Sequence, residues 1–545
     1  MDNEFVYGYL ASLRDSKTYL FFNMLCSTYR SNFLLNMFCC CVFKNNLLKA
    51  RGLLITNYYF YMAEYIPTIG LEIHAELNTK TKMFCPCKND ANEKNPNINI
   101  CPICVGHPGT LPTINKEAIF SVIKIGLAMN SEIAFPKKQS KFDRKNYFYP
   151  DLPKAYQISQ YDQPIVKGGE LKGVKLTRIH MEEDTARSIH SSQVTTYPKD
   201  QSPASLVDFN RSGLPLMELV TEPDVKSGKQ AVEFAKELQL VLRYLGISDA
   251  DMEKGQMRVE ANVSISKNSE RGTKVEVKNL NSFVSVEKAI DYEKKRQEEV
   301  LEKGEKVAHE TRGWNDAKKI TVSQRIKELA HDYRYFPEPD LPLMDFSEIE
   351  LEQLKKGLPE LPREKRGRFI KEYKLSLNQA NLLVCDKELA NYFENTISEY
   401  KTFEIDNNYQ IVYNYITTNL KGLMNEAGVG IKEIKIEPEK MAHLTSFVSN
   451  GKLTSNMTKD VLKVMFDTGA DPESIIKEKG FYEMLGDKEL EKTIDEIINE
   501  NEKAVNDYKK GNENSLQFLT GQAMKKLKGR ASAEILIGLF KNKLK

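Results

Sequence analysis

Four stretches of the chain alternate between apolar and polar positions with a period of two, the signature of strands with one dry and one wet face. In GLEIHAEL, residues 70–77, Leu71, Ile73, Ala75 and Leu77 fall on one side and Glu72, His74 and Glu76 on the other. The stretch 174–184 puts His180, Glu182 and Asp184 together. In MRVEANVSIS, Val259, Ala261, Val263 and Ile265 oppose Arg258, Glu260, Asn262 and Ser264. In GTKVEVKNLNSF, Val275 and Val277 oppose Lys274, Glu276 and Lys278. The alternation predicts strands over 70–77, 174–184, 258–266 and 273–278, each with a carboxylate on its polar side. For any one strand a merely solvated face is the alternative. Four together would build one sheet surface studded with acids.

Helical spacing takes over elsewhere. VKSGKQAVEFAKELQLVLRYLG carries Ala231, Phe234, Ala235, Leu238 and Leu242 at helix period. Ser227 with Gln230 three residues on is a capping-box pattern, and Gly246 supplies the stop. The proline- and aromatic-rich HDYRYFPEPDLPLM reads as a rigid loop closing the first domain. After about residue 352 the pattern is helical to the end, with a break at GADPES, residues 469–474. The expected organisation is therefore α+β: a mixed-sheet domain over 62–352, an all-helical domain over 353–470, and a small helical tail over 471–545.

A chain of 545 residues with 41% hydrophobic and 28% charged residues has ample material for several cores. Its net charge of +2 carries no global footprint of nucleic-acid binding, so any such contact must be local. Residues 521–545 hold seven Lys or Arg against one Glu, which suits an RNA backbone or, equally, a solvated lysine-rich helix end. The first 61 residues are apolar, but Arg30 splits them into uncharged runs of 12 (18–29) and 13 (31–43) residues. Both are too short to span a membrane, which takes about 20. Six basic and three acidic residues there loosely fit a transit peptide. Because the patterned sequence begins directly after Met62, we read residues 1–61 as a leader outside the folded protein.

Cys85, Cys87, Cys101 and Cys104 make a CxC…CxxC set with thirteen residues between the pairs. Such spacing points to bound Zn²⁺ in a structural role, because four sulfurs leave no open coordination position; reduced, unliganded thiols are the alternative. The clustered acids pose a different problem. Close carboxylates repel and raise one another's pKa unless a cation compensates. Mg²⁺ is the usual compensator, taking one or two carboxylates plus substrate phosphates. Lys145, Arg258 and Lys278 are placed to hold phosphate oxygens. This is a reasonable design for phosphoryl transfer, with a polar binding sheet or a metal hydrolase as competitors. No Walker A sequence and no GxGxxG occurs, so any ATP site would be of an uncommon, sheet-based kind.

IGLEIHAEL, the CPC…CPIC set with GHPGTLP, KFDRKNYFYPDLPKAYQISQ, IHMEEDTAR, DFNRSGLPLMELVTEPD, MRVEANVSIS, KVEVKNLNSF and HDYRYFPEPDLP occur in that order. Together they closely resemble the B subunit (GatB) of the tRNA-dependent amidotransferases, over residues 64–545. The resemblance implies a cradle-like kinase domain over 62–352, a helical domain over 353–470 and a small helical tail over 471–545 that recognises the tRNA body. It implies ATP- and Mg²⁺-dependent phosphorylation of the side-chain carboxylate of Glu-tRNA(Gln) or Asp-tRNA(Asn), and displacement of phosphate by glutamine-derived ammonia. Structural Zn²⁺ is implied too, as are heterotrimer partners in the form of an amidase (A) subunit plus a small (C) subunit. Misacylated tRNA would be the substrate, with no membrane and a cytoplasmic or organelle-matrix location. By motif match Glu72 and His74 would hold Mg²⁺ with Glu182 or Glu183, strand alternation favouring Glu182. Glu260 and Glu276 would be further metal or ammonia-guiding carboxylates, and Lys145 and Lys278 would contact phosphate or the aminoacyl end. Two departures stand out: Glu260 where the family often has Asp, and Thr-Ala-Arg after Asp184 where it often has alanine and glycine.

Overall fold

A computed structural model describes residues 65–544 except 137, 192–203, 269, 327–332, 404–406, 482–486 and 528–532, so the reading of residues 1–61 as a leader lies outside the described residues. Pro67–Ser264 and Gly272–Lys545 belong to one unit, which holds every side chain discussed below.

In chain order the strands are β1 (Ile66–Glu76), β2 (Glu132–Ile133), β3 (Asp143–Asn146), β4 (Tyr156–Ser159), β5 (Val166–Lys167), β6 (Glu170–Leu171), β7 (Val174–Glu183), β8 (Arg187–His190), β9 (Ser205–Asp208), β10 (Pro215–Thr221), β11 (Met257–Ser266), β12 (Val275–Leu280), β13 (Glu310–Asn315), β14 (Ile320–Ile326) and β15 (Phe336–Pro337). The main sheet runs β14-β13-β12-β11-β1-β10-β7-β5-β2, with β6 also on β7; β15-β3-β4 form a small sheet, and β8 pairs with β9. The sheet is mixed because β12 and β13 pair parallel while β1, β10 and β7 pair antiparallel. A parallel pair needs a crossover, and the helix Phe283–Glu302 between β12 and β13 provides it.

All four strands expected from the alternation are present, and all four lie in the main sheet. In β1 the burial alternates as the sequence does: Ile69, Leu71, Ile73 and Ala75 are buried, and Glu72, His74 and Glu76 are partly open. The dry face packs on three helices, α1 (Lys116–Ala128), α2 (Gly228–Leu245) and α3 (Phe283–Glu302), in one hydrophobic core. Truncating a fully buried member such as Ile73 to Ala would cost about 2–5 kcal/mol. The caps of α2 are those read from the sequence. The Ser227 side chain accepts from the Gln230 N–H, and Gly246 closes the helix with φ 69°, a left-handed conformation that favours glycine. The Gln230 side chain reaches back to the Lys226 N–H, one residue before the cap.

One central strand escapes the alternation. β10, PLMELVT, lies between β1 and β7 and is buried on both faces except at Val220, so it reads as a continuous apolar run. The acid-bearing strands share one sheet, but β10 separates β1 from β7 and adds an acid of its own, Glu218.

Beyond the sheet the chain is helical. A second core gathers residues from Phe369 to Ile476 with Leu240 and Tyr244 of α2, and the Tyr244 hydroxyl donates to the Val384 carbonyl at 3.0 Å. A third core holds Leu490, Ile494, Leu519, Leu536 and Phe540 of the last helices. There the basic stretch is less free than its composition suggests. Lys526 pairs with Glu496 and Glu500 at 3.0 and 2.8 Å, and Lys543 with Asp495 at 2.6 Å.

Candidate active site

The wet face of the main sheet gathers the predicted acids through strand register. Across β1, β10 and β7, His74 pairs with Glu218 and Glu218 with His180, so imidazole, carboxylate and imidazole form one row. The His74 Nε2 lies 3.3 Å from Glu218 Oε2, 3.8 Å from Glu182 Oε2 and 4.0 Å from Glu72 Oε1. The His180 Nε2 lies 3.3 Å from Glu218 Oε2 and 3.5 Å from Glu182 Oε1. Ligand atoms of Glu72, His74 and Glu218, and those of His180, Glu182 and Glu218, form two overlapping sets, each within 4.8 Å.

The small sheet closes over this row. Lys145 pairs with Gln157 across β3 and β4, which sends both side chains the same way. Ser159 Oγ donates to Glu182 Oε1 at 2.7 Å, Gln157 Nε2 to Oε2 at 3.1 Å, and the Lys145 ammonium stands 3.5 Å away. The neighbouring Glu183 points elsewhere, accepting from the Ile158 N–H at 2.9 Å and pairing with Lys154. Alternation favours Glu182 over Glu183 for the cluster, and the structure puts Glu182 there.

A second group lies beside the first on β11 and β12. Glu72 is shared with Glu260 and Glu276, whose carboxylates also come within 4.8 Å of one another. Lys278 bridges these two at 2.8 and 3.5 Å, and Thr311 Oγ1 donates to Glu276 at 2.7 Å. Arg258 points to a third place, 3.3 Å from Asp184, which Arg211 also meets at 3.2 Å. Glu76 belongs with that third place, its surroundings set by Asp184, Arg211 and Arg258 rather than by His74.

Charge balance shows what the cluster lacks. Burial, reinforced by Glu218, pushes the Glu72 carboxyl up to about 7. Glu182 is held down at about 2: burial opposes its charge, but Lys145 and His180 outweigh that. Glu218 is likewise held well below the usual carboxylate range by His180 and His74 against burial. His180, although burial disfavours its charged form, is pushed up to about 9 by Glu218 and Glu182. The imidazoles and Lys145 thus satisfy two carboxylates and leave the third short of a positive charge. An oxygen-rich array with that deficit fits a hard divalent cation.

The four thiols converge separately. The sulfurs of Cys85, Cys87, Cys101 and Cys104 all lie within 4.8 Å of one another, with no disulfide among them. The Cys104 thiol is pulled down to about 5, first by a hydrogen bond from Cys85, against burial, with the Cys101 N–H adding to the effect. Four soft donors, one already favouring thiolate, fit Zn²⁺. The fully buried Lys82 places its ammonium 3.7 Å from Cys104 Sγ and 3.1 Å from the Phe209 carbonyl. Gly213 joins this knuckle to the acid side: the Met83 N–H donates to its carbonyl and its own N–H donates to the Asp184 carbonyl, each at 2.8 Å.

Sequence reasoning misses Glu218 and the Gln157–Ser159 clamp on Glu182. The signal for Glu218 is a lone acid inside the apolar run PLMELVT, a position that makes sense only if the charge has partners.

Comparison with known proteins matches this architecture. The family model described as "GatB/GatE catalytic domain" matches residues 67–352, and one described as "GatB domain" matches residues 391–544. The chain is 43% identical over 493 residues, 89% of its length and 99% of the relative's, to the B subunit of the aspartyl/glutamyl-tRNA(Asn/Gln) amidotransferase of Carboxydothermus hydrogenoformans. It is 45% identical over 497 residues to the protein of that name from Dehalococcoides mccartyi, with the same coverage. For Thermotoga maritima the figures are 44% over 481 residues, 86% of this chain and 97% of the relative. With the mixed sheet, the helical C-terminal region and these likenesses in agreement, the chain belongs to the GatB family, the B subunits of the aspartyl/glutamyl-tRNA(Asn/Gln) amidotransferases.

Proposed function

We propose that the wet sheet face is a phosphoryl-transfer site that activates the side-chain carboxylate of a glutamyl or aspartyl group esterified to tRNA. The observation that carries this reading is the convergence of Glu72, His74, Glu182 and Glu218 from three adjacent strands, with Lys145 at the rim. A carboxylate resists attack by ammonia because it is anionic and lacks a leaving group. One of its oxygens attacks the γ-phosphorus of ATP, the bond to the ADP oxygen breaks, and an acyl phosphate results. Ammonia then attacks the acyl carbon, the bond to phosphate breaks, and the nitrogen sheds a proton to leave the amide.

Glu72, His74, Glu182 and Glu218 would hold Mg²⁺, which when bound neutralises phosphate charge at the transferring group. Lys145, whose charge Glu182 sustains against burial, would meet a phosphate oxygen. Gln157 and Ser159 fix the Glu182 carboxylate so that it need not reorganise during the reaction. Glu260, Glu276 and Lys278 form an acid–base–acid patch next door, suited to an ammonium ion or the aminoacyl end. The Cys quartet would hold Zn²⁺ structurally. Glutamine hydrolysis would fall to the amidase (A) partner, and the small (C) partner would complete a heterotrimer.

The test is amidation of Glu-tRNA(Gln) and Asp-tRNA(Asn) by this chain with ATP, Mg²⁺ and ammonium chloride, the last replacing the amidase. Product that requires ATP and disappears with His74→Ala supports the reading. No product with either substrate, even when the partner subunits are added, overturns it.

A further inference from the structure

The period-two logic extends past the acid cluster. On the small sheet Lys145 and Gln157 point at Glu182, so residues two positions away on the same strands' continuations share that side. Tyr147 follows Lys145 by two, and Tyr161 follows Ser159 by two. Phe336 pairs with Arg144, which puts Tyr335 in register with Lys145, and Tyr333 lies two residues before it. Four tyrosines from three chain segments thus border the acids.

They form a continuous belt. Tyr147 lies edge-on to Tyr333 at 5.9 Å, Tyr333 edge-on to Tyr335 at 6.1 Å, and Tyr335 is stacked on Tyr161 at 4.4 Å with the rings 9° from parallel. The belt is wired to the cluster at two points. The Lys145 ammonium sits 5.3 Å from the Tyr333 ring centre, and the Tyr147 hydroxyl donates to Gln157, which in turn donates to Glu182. At the far end Tyr161 is 55% exposed. One face of its ring is covered by Tyr335. A core-forming stack would bury that ring; this one leaves it accessible.

We propose that the Tyr161–Tyr335 stack is the platform for an adenine ring delivered to the acid cluster, the base lying on the open side of Tyr161. This rests on the phosphoryl-transfer reading, which brings two adenines to this place: that of ATP and that of the 3′-terminal adenosine bearing the amino acid. A flat aromatic surface fixed in orientation is what an unstacked base requires, and a base of either origin stacks on it without a dedicated hydrogen-bond code.

The experiment uses 2-aminopurine, whose fluorescence falls on stacking, in two probes: 2-aminopurine riboside triphosphate with Mg²⁺, and an acceptor-stem RNA hairpin with 2-aminopurine as its 3′-terminal base. The full-length chain should quench one of them, and which one names the source of the base. Tyr161→Phe should keep the quenching, whereas Tyr161→Ala should abolish it and weaken binding of that probe about tenfold or more. Quenching of neither probe, or quenching unchanged in Tyr161→Ala, overturns the platform. Loss of quenching in Tyr161→Phe also overturns it, since the ring would then not be what matters. The wild-type chain is assayed for amidation in parallel. Amidation without quenching removes the platform alone, whereas absence of amidation removes the underlying reading and the platform with it.

Discussion

Glu182 and Glu183 are adjacent on one strand and serve opposite sides of it. Glu182 turns to His74, His180 and Lys145, whereas Glu183 turns to the Ile158 N–H and Lys154. On the proposed reading, two identical side chains would separate catalysis from architecture. On the same reading, Glu182→Gln should cut amidation about 100-fold or more per folded molecule. Glu183→Gln should lower stability by about 1–3 kcal/mol through its weakened buried contacts, with activity per folded molecule retained. Thermal melts beside ammonium-dependent amidation assays decide; the reverse assignment of the two effects would defeat the site as drawn.

Glu218 makes the sharper case, because it stands between both imidazoles. Glu218→Gln removes the carboxylate that favours the charged forms of His74 and His180, so both should titrate at lower pH than in the parent. On the proposed reading the same change should weaken Mg²⁺ binding about 10-fold or more. NMR titration of the two histidine rings and isothermal calorimetry of Mg²⁺ binding measure these effects.

Metal binding should depend on pH with a defined sign. Glu72, pushed up to about 7, is largely protonated at pH 6 and must shed its proton to ligate a cation. Mg²⁺ affinity should therefore rise with pH through the window below about 7, by roughly tenfold per unit for each proton in competition. At pH 6 calorimetry in buffers of different ionisation enthalpy should find at least one proton released per ion. Glu72→Gln should bind more weakly and with a shallower pH slope; an affinity independent of pH from 5.5 to 7 would contradict the assignment.

The thiol knuckle invites a test that needs no substrate. Lys82 is a buried ammonium whose contacts are the Cys104 sulfur and the Phe209 carbonyl. Four thiolates around Zn²⁺ would carry net negative charge, and Lys82 would offset part of it. Lys82→Met should lower zinc affinity about 10- to 100-fold, read as faster transfer of zinc to a chromogenic chelator. If the lysine serves only the Phe209 carbonyl, zinc-loaded and zinc-stripped proteins will lose equal melting temperature on this substitution. Stripping zinc from the parent should itself expose the 88–100 loop to proteolysis, since that segment contributes no side chain to the hydrophobic cores.

Much of the site is legible in the sequence because a period of two fixes which residues share a face, whatever the strands later pair with. That is why Glu72, His74, Glu182, Glu260 and Glu276 can be named without knowledge of the pairing, and why Glu182 is preferred to Glu183. What periodicity cannot carry is adjacency. β10 is invisible to it, because a strand buried on both sides has no alternation to detect, and Glu218 is hidden with it. Arg258 reads as a phosphate ligand, and periodicity gives no hint that the fold sets it 3.3 Å from Asp184, a partner 74 residues away. The basic tail is conspicuous by composition alone, and acids of the helix Asp487–Glu500 offset part of it.

The sequence by itself determined the local choices: which segments are strands, which side of each is wet, where α2 starts and stops, and that four cysteines come in two close pairs. These follow from backbone geometry and nearest-neighbour chemistry, which act within a few residues. Only the tertiary structure decided that β10 enters between β1 and β7, that a small sheet brings Lys145 over Glu182, that Lys82 is buried against Cys104, and that tyrosines from three segments meet at the rim. Those relationships join residues far apart in the chain, and pairing, register and burial of the whole core choose among them together.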